Sequence, residues 1–189
     1  GFNLANGDAR RAVSQAAASP AVNLVGTHCH IGSNVFRAAS FARAVEVMAG
    51  FAAEVELPQL VLGGGLGVAY TADEEAPTIS QWASVLREAC ESLGVSSDVY
   101  VEPGRSIVAD AAVTAYTVGT IKDIPDVRTY VAVDGGMSDN PRPVLYGSGY
   151  EALLARSPFA ERPLTVRVVG KHCESGDVLL SDAAVPEDL

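Results

Sequence analysis

The chain has 189 residues, 48% of them hydrophobic, and 23 acidic against 13 basic side chains give it a formal net charge of −10. That length can bury a full core, while the acidity argues against nucleic acid, whose phosphates demand a basic face, and reads instead as a well-solvated surface. No apolar run approaches the ~20 residues of a membrane-spanning helix, residues 1–10 lack the layout of a secretion signal, and three cysteines without framework spacing point to reduced thiols and a cytoplasmic address.

The chain opens on Gly1, within what reads as a strand, and is expected to be a fragment of a longer protein. Ala, Val and Arg at helical spacing predict a helix over residues 8–18, stopped by Ser19-Pro20. Residues 22–27 are apolar and β-branched, as suits a buried parallel strand. Residues 36–56 read as an alanine-rich amphipathic helix closed by Leu57-Pro58. A short strand over 60–62 runs into Gly63-Gly64-Gly65-Leu66-Gly67. Residues 78–93 form a further helix with Gly94 as its stop. A third strand over 99–101 is closed by Glu102-Pro103-Gly104. Strand, polar loop and helix thus alternate, the rhythm of β/α units on a parallel sheet or barrel. In such folds the loops after the strands carry the chemistry.

After Arg105 the pattern changes. Residues 106–119 and 128–133 predict antiparallel strands around a turn at 122–126, and 164–169 and 178–180 continue the β character. The expected division is an α/β domain over residues 1–105 and a β-rich domain over 106–189, with the boundary near 105–109. No internal repeat, low-complexity tract or linker is evident.

Five segments do not read as packing. In His28-Cys29-His30-Ile31-Gly32-Ser33 the two histidines stand two apart at a strand end, so they share a face and Cys29 points opposite. A structural histidine pair fits that arrangement too, whereas a metal set of His28, His30, His172 and Cys173 lacks zinc spacing. The glycines of 63–67 follow a strand and let backbone N–H groups approach an anion. They are not the dinucleotide fingerprint, because Val68 stands where its last glycine belongs. In Glu102-Pro103-Gly104-Arg105, a carboxylate at a strand end beside a rigid proline is expensive to desolvate without a cationic partner. An ion pair between Glu102 and Arg105 is the simple alternative. The fourth segment, 133–150, carries Arg142 and Tyr146 four apart, on one face of a helix starting near Asn140-Pro141. The fifth is His172-Cys173-Glu174-Ser175-Gly176-Asp177, whose cysteine would otherwise read as an inert buried thiol.

In this order, over nearly the whole chain, the five segments closely resemble the diaminopimelate decarboxylase family, pyridoxal-phosphate decarboxylases of the alanine-racemase-like fold type. The resemblance implies the later half of a TIM-like (β/α)8 barrel followed by part of a β-rich, β-barrel-like domain. It implies pyridoxal 5′-phosphate as cofactor, decarboxylation of meso-diaminopimelate to L-lysine and carbon dioxide as the activity, and a homodimer with a shared active site. By the same resemblance His30 stacks on the pyridine ring, and Ser33, Gly65 and the amides of Gly104 and Arg105 bind the phosphate. Pro103 counts with that cofactor-binding set, and Glu102 faces the ring nitrogen. The Arg105 guanidinium takes a substrate carboxylate, Arg142 and Tyr146 the distal carboxylate, and Glu174 the distal ammonium. Cys173, crossing from the partner subunit, returns a proton to the substrate carbon. Val61 stands where family members often carry Asp or Asn, two residues before the first glycine.

Such an enzyme needs a lysine to hold the cofactor covalently. The chain has only Lys122 and Lys171. The resemblance matches neither, because it places the Schiff-base lysine upstream of Gly1 and a Gly-Ala-Tyr segment beyond Leu189. The fragment alone is therefore expected to be inactive. The alternatives are an ornithine or arginine decarboxylase of the same fold, a non-catalytic regulatory homologue, and a small phosphate-binding β/α domain.

Overall fold

In a computed structural model that describes residues 1–189, three strands run parallel in the order β1 (Gly26–His28), β2 (Gln59–Gly64) and β3 (Asp98–Glu102). Helices separate them, as the β/α rhythm requires: α1 (Asp8–Ala18) precedes β1, α2 (Ala38–Val55) joins β1 to β2, and α3 (Ile79–Ser92) joins β2 to β3. These elements belong to one compact unit, Gly1–Val68 with Glu75–Ala112; Ala69–Glu74 with Val113–Leu189 form another.

The core of the first unit lies between β2 and the helices α2 and α3. Phe41, Val45 and Ala52 of α2 meet Leu60 and Leu62 of β2 and Trp82 and Leu86 of α3. Phe41 and Trp82 stack edge to face with centroids 5.6 Å apart. The start of α3 is set chemically: the Thr78 hydroxyl accepts from Gln81 N–H and the Gln81 side chain accepts from Thr78 N–H. Its end falls where Gly94, at φ +63°, supplies the left-handed turn.

Several expectations change here. Gly1, Phe2 and Asn3 form no strand; an Asn3-centred turn instead leads into α1. Only Gly26, Thr27 and His28 of the first expected strand find partners on β2. Val22 and Val25, β-branched but exposed, lie outside the ladder. Residues 106–111 are helical, a short α4 (Arg105–Val108) followed by a 3-10 turn, because Gly104 at φ +52° reverses the chain after β3.

The second unit is a four-stranded sheet in sequential order: β4 (Val118–Ile124), β5 (Arg128–Val133), β6 (Leu164–Val169) and β7 (Val178–Val185). β4 and β5 are antiparallel around a tight turn at Pro125-Asp126, so residues 122–124, expected in the turn, belong to the strand. β5 and β6 are parallel, and β6 and β7 antiparallel, with β7 extending five residues past the expected Leu180. Val131, Val133, Val166, Val168, Leu179, Ala183 and Val185 form its core. Their alternation along β5, β6 and most of β7 is that of a sheet buried on one face.

Candidate active site

Because β2 lies between β1 and β3, three of the motif segments begin side by side at the C-terminal ends of parallel strands. Gly64 stands level with Glu102, and a Cβ on it would lie 1.7 Å from the Glu102 carbonyl oxygen. Gly65, at φ +93°, would bring its Cβ to 1.9 Å from the Gly32 carbonyl oxygen. Strand packing alone therefore demands both glycines, whatever ligand they approach. The loops then lock together: Val35 N–H donates to Gly65 O at 2.8 Å and Gly67 N–H to Val35 O at 3.0 Å. The N–H groups of Gly104 and Arg105 donate to nothing within the chain, while the pairing of Gly64 with Glu102 turns the Gly65 N–H toward the Glu102 carbonyl.

His30, just beyond the end of β1, lies against this turn and accepts from Gly64 N–H at Nδ1, 3.4 Å away. Ser33 is exposed beside it, and Pro103 is half-buried with its carbonyl accepting from the Ser106 N–H and hydroxyl. Glu102 is not desolvated: its side chain is 56% exposed. Nor does it pair with Arg105, which donates through Nη1 to Asn34 Oδ1 at 3.3 Å. Asn34 takes a φ of +61°, a conformation asparagine tolerates better than most residues. The partner of Glu102 is His28, whose Nε2 lies 3.0 Å from Oε2. The two histidines thus hold different partners and do not form a pair with each other. Burial pushes the Cys29 thiol up, which keeps it protonated and unreactive.

In the second unit, β5 runs into Asp134-Gly135-Gly136-Met137 and its parallel neighbour β6 into 170–177, so both loops leave the same end of the sheet. Asp177, 2% exposed, joins them. Its carboxylate accepts from Met137 N–H at 2.6 Å and His172 N–H at 2.9 Å. A Cβ at Gly136 or Gly170 would lie 2.6 or 2.2 Å from that carboxylate. Lys171 N–H donates to Gly135 O, Gly170 N–H to Asp177 O, and His172 Nε2 lies 2.8 Å from the Ser138 hydroxyl. Cys173 and Glu174 ride exposed on this frame, so Cys173 is not the buried thiol of the simple alternative. The Glu174 carboxylate accepts from the Ser175 hydroxyl and Gly176 N–H, both at 3.2 Å.

Arg142 opens α5 (Arg142–Tyr146), a five-residue helix ended by Gly147 at φ +63°. It donates to the Tyr150 hydroxyl at 2.9 Å and the Ser148 hydroxyl at 3.0 Å, and its guanidinium lies 5.5 Å from the centre of the Tyr70 ring. Tyr70, Ser148, Tyr150 and Asp177 are residues that sequence reasoning assigned no role. Tyr146 is 75% exposed.

Tyr116 donates to Asp139 at 2.7 Å. Burial first, then that hydrogen bond, pushes its phenol up to about 12, and the same bond holds Asp139 below the ordinary carboxylate range. A phenol that titrates later folded than unfolded stabilises fully below the unfolded value, and the stability is lost as pH rises through the folded one. Denaturant midpoints of the protein are therefore expected to fall between pH ~10 and ~12, and to fall less in Tyr116→Phe. Equal slopes in both proteins would contradict the assignment.

Residues 1–109 match the family model described as pyridoxal-dependent decarboxylase, pyridoxal binding domain, and residues 68–189 the one described as pyridoxal-dependent decarboxylase, C-terminal sheet domain. The chain is 42% identical to a diaminopimelate decarboxylase of Bacillus methanolicus over 99% of its own length and 46% of that protein's. It is 44% identical to one of Corynebacterium efficiens over 100% of its length and 44% of that protein's. Among solved structures it resembles diaminopimelate decarboxylase from M. jannaschii in complex with L-lysine, at a TM-score of 0.83 and 29% identity, covering 99% of this chain and 44% of that one. It also resembles a Helicobacter pylori diaminopimelate decarboxylase complexed with L-lysine, at 0.79 and 30%, covering 95% and 44%. The chain spans about half the length of the curated relatives it matches.

Proposed function

The chain belongs to the pyridoxal-dependent decarboxylase family, and from that premise we propose that the whole protein decarboxylates meso-diaminopimelate to L-lysine with pyridoxal 5′-phosphate as cofactor. The observation that carries the reading is the convergence of the Glu102 carboxylate, the His30 ring and the Gly63-Gly64-Gly65 turn at the ends of three parallel strands. The residues present fit the cofactor. Unengaged N–H groups of Gly104 and Arg105 suit a phosphate, and the Gly65 turn is assigned to the same group. The Glu102 oxygen that His28 leaves free suits a protonated ring nitrogen. When bound, pyridoxal phosphate supplies an electron sink for the pair released as carbon dioxide departs.

The chain's own groups do the rest. Glu102 keeps a proton on the ring nitrogen, and His30 covers one face of the ring. Ser33 adds a hydroxyl to the phosphate contacts, and Pro103 keeps the Glu102–Gly104 turn rigid. Arg105 is assigned to a substrate carboxylate, which its remaining guanidinium N–H groups can take in a fork. Arg142 and Tyr146 are assigned to the distal carboxylate, Glu174 to the distal ammonium, and Cys173 of the partner subunit returns the proton to the substrate carbon. A homodimer with shared sites and a cytoplasmic address complete the reading; the odd, unframed cysteines support the latter.

The test uses full-length protein purified with pyridoxal phosphate. It should absorb in the visible, lose that band to borohydride, and release carbon dioxide from meso-diaminopimelate in preference to ornithine or arginine. A protein with no band and no release would overturn the reading; release from ornithine alone would replace the substrate. Arg142→Ala is expected to lower kcat/KM for diaminopimelate about thirtyfold, the equivalent of about 2 kcal/mol for a truncated charge contact. Glu174→Ala should shift selectivity by less, because Glu174 is solvated. Normal kinetics in both variants would remove these two residues from the distal contacts.

A further inference from the structure

Building on that reading, we propose that His28 is a positioning residue for Glu102, holding one carboxylate oxygen so that the other meets the cofactor ring and the shared proton stays on the ring nitrogen. The contact joins residues 74 apart in sequence, Nε2 to Oε2 at 3.0 Å, across the whole width of the three-stranded sheet. His28 ends β1 and Glu102 ends β3, with β2 between them. Backbones two strands apart are separated by about 9.6 Å, twice the spacing between neighbours. His28 is level with Val61 of β2 and Glu102 with Gly64, so the contact also runs obliquely toward the C-terminal end of the sheet. There β2 carries Gly63 and Gly64, which put no side chain between the two.

No Lys or Arg forms an ion pair with Glu102, and Arg105, its nearest cation in sequence, is engaged with Asn34. His28 is thus the one hydrogen-bond partner the fold gives this carboxylate. A carboxylate facing a pyridine nitrogen shares a single proton with it. If the carboxyl kept that proton, the ring would be neutral and a weak electron sink. A donor on the far oxygen favours the ionised carboxylate and so leaves the proton on the ring. Both side chains are about half exposed, 50% and 56%, so the bias is moderate in size.

The experiment is nitrogen NMR of the full-length holoenzyme loaded with ring-nitrogen-labelled pyridoxal phosphate, in which the chemical shift reports the ring's protonation directly. The wild-type signal should be that of a protonated ring and the Glu102→Gln signal that of a neutral one. His28→Phe should move the protonated-to-neutral ratio about tenfold toward neutral, the worth of one charge-assisted hydrogen bond near the surface. His28→Gln, whose amide can reach the same oxygen, should recover most of that shift. If His28→Phe does not fold, His28→Asn, polar but too short for the contact, takes its place with the same expectation. A His28 whose role is only to stabilise the strand end would change the melting temperature and leave the ring signal at its wild-type position; that result overturns the proposal. Failure of the parent reading looks different: either the wild-type protein binds no cofactor, or Glu102→Gln leaves the ring signal unmoved, and the proposal falls with it.

Discussion

Glu102→Gln in the full-length protein is expected to lower kcat by a hundredfold or more while the cofactor remains bound, about the loss seen when one preorganised electrostatic contact is removed from a reacting centre. The division follows from the geometry. The groups proposed to hold the phosphate are the Gly65 turn and the N–H groups of Gly104 and Arg105, and the substitution touches none of them. The carboxylate acts on the ring's charge, which matters most as the substrate carbon loses its carboxylate, so the loss should fall on kcat and spare KM. Steady-state kinetics with a count of bound cofactor checks this. Unchanged turnover would mean that Glu102 serves only its contact with His28.

Complete loss of activity is expected for Cys173→Ala and, separately, for a variant lacking the upstream Schiff-base lysine. Mixing the two should restore activity. Random exchange between two inactive homodimers makes about half the dimers mixed, and in each of those one of the two sites holds both intact groups, so about a quarter of the wild-type activity returns. The motivation is the exposure of Cys173 on a loop whose ends are pinned and whose tip is free. Subunit exchange is followed by mass-tagged native electrophoresis. Exchange without any recovery would assign Cys173 to its own chain's site and end the shared-site reading.

What the sequence disclosed and what it hid follow from how local each cause is. The limits of α1 and α3 were legible because their stops and caps are chemical and adjacent: Ser19-Pro20, Thr78 with Gln81, and Gly94. The alternation of strand and helix was legible for the same reason. The strand expected at 22–27 was too long because β-branched residues mark compatibility with a strand, whereas membership needs a partner; only three residues of β1 have one. Ser106 to Ala111 misled through Ile107 and Val108, whose β-branching was outweighed by the turn at Gly104. At the candidate site the motifs themselves could be read, and their wiring could not. The pairing of His28 with Glu102, and the support of Arg142 by Ser148, Tyr150 and Tyr70, depend on register and on loop closure across up to 74 residues. Placing both residues at the C-terminal ends of strands in one parallel sheet would have brought His28 and Glu102 near each other, although their register differs, His28 being level with Val61 and Glu102 with Gly64. Asp177 offered a signal too, as an acidic residue closing a motif with no assigned partner.

The loop between β6 and β7 is built like a socket with an interchangeable bit. Its two ends are fixed by Lys171 N–H on Gly135 O, by Gly170 N–H on Asp177 O, and by the buried Asp177 carboxylate, while Cys173, Glu174, Ser175 and Gly176 are exposed and their side chains hydrogen-bond only within these four residues. Evolution or a designer can therefore rewrite those four positions, and with them the chemistry offered at the tip, without disturbing the sheet that carries them. Chimaeras exchanging only residues 173–176 should melt within a few degrees of the parent, as surface changes do, whereas Asp177→Ala should not. A tip swap that unfolds the sheet would show that the frame and the tip are one piece after all.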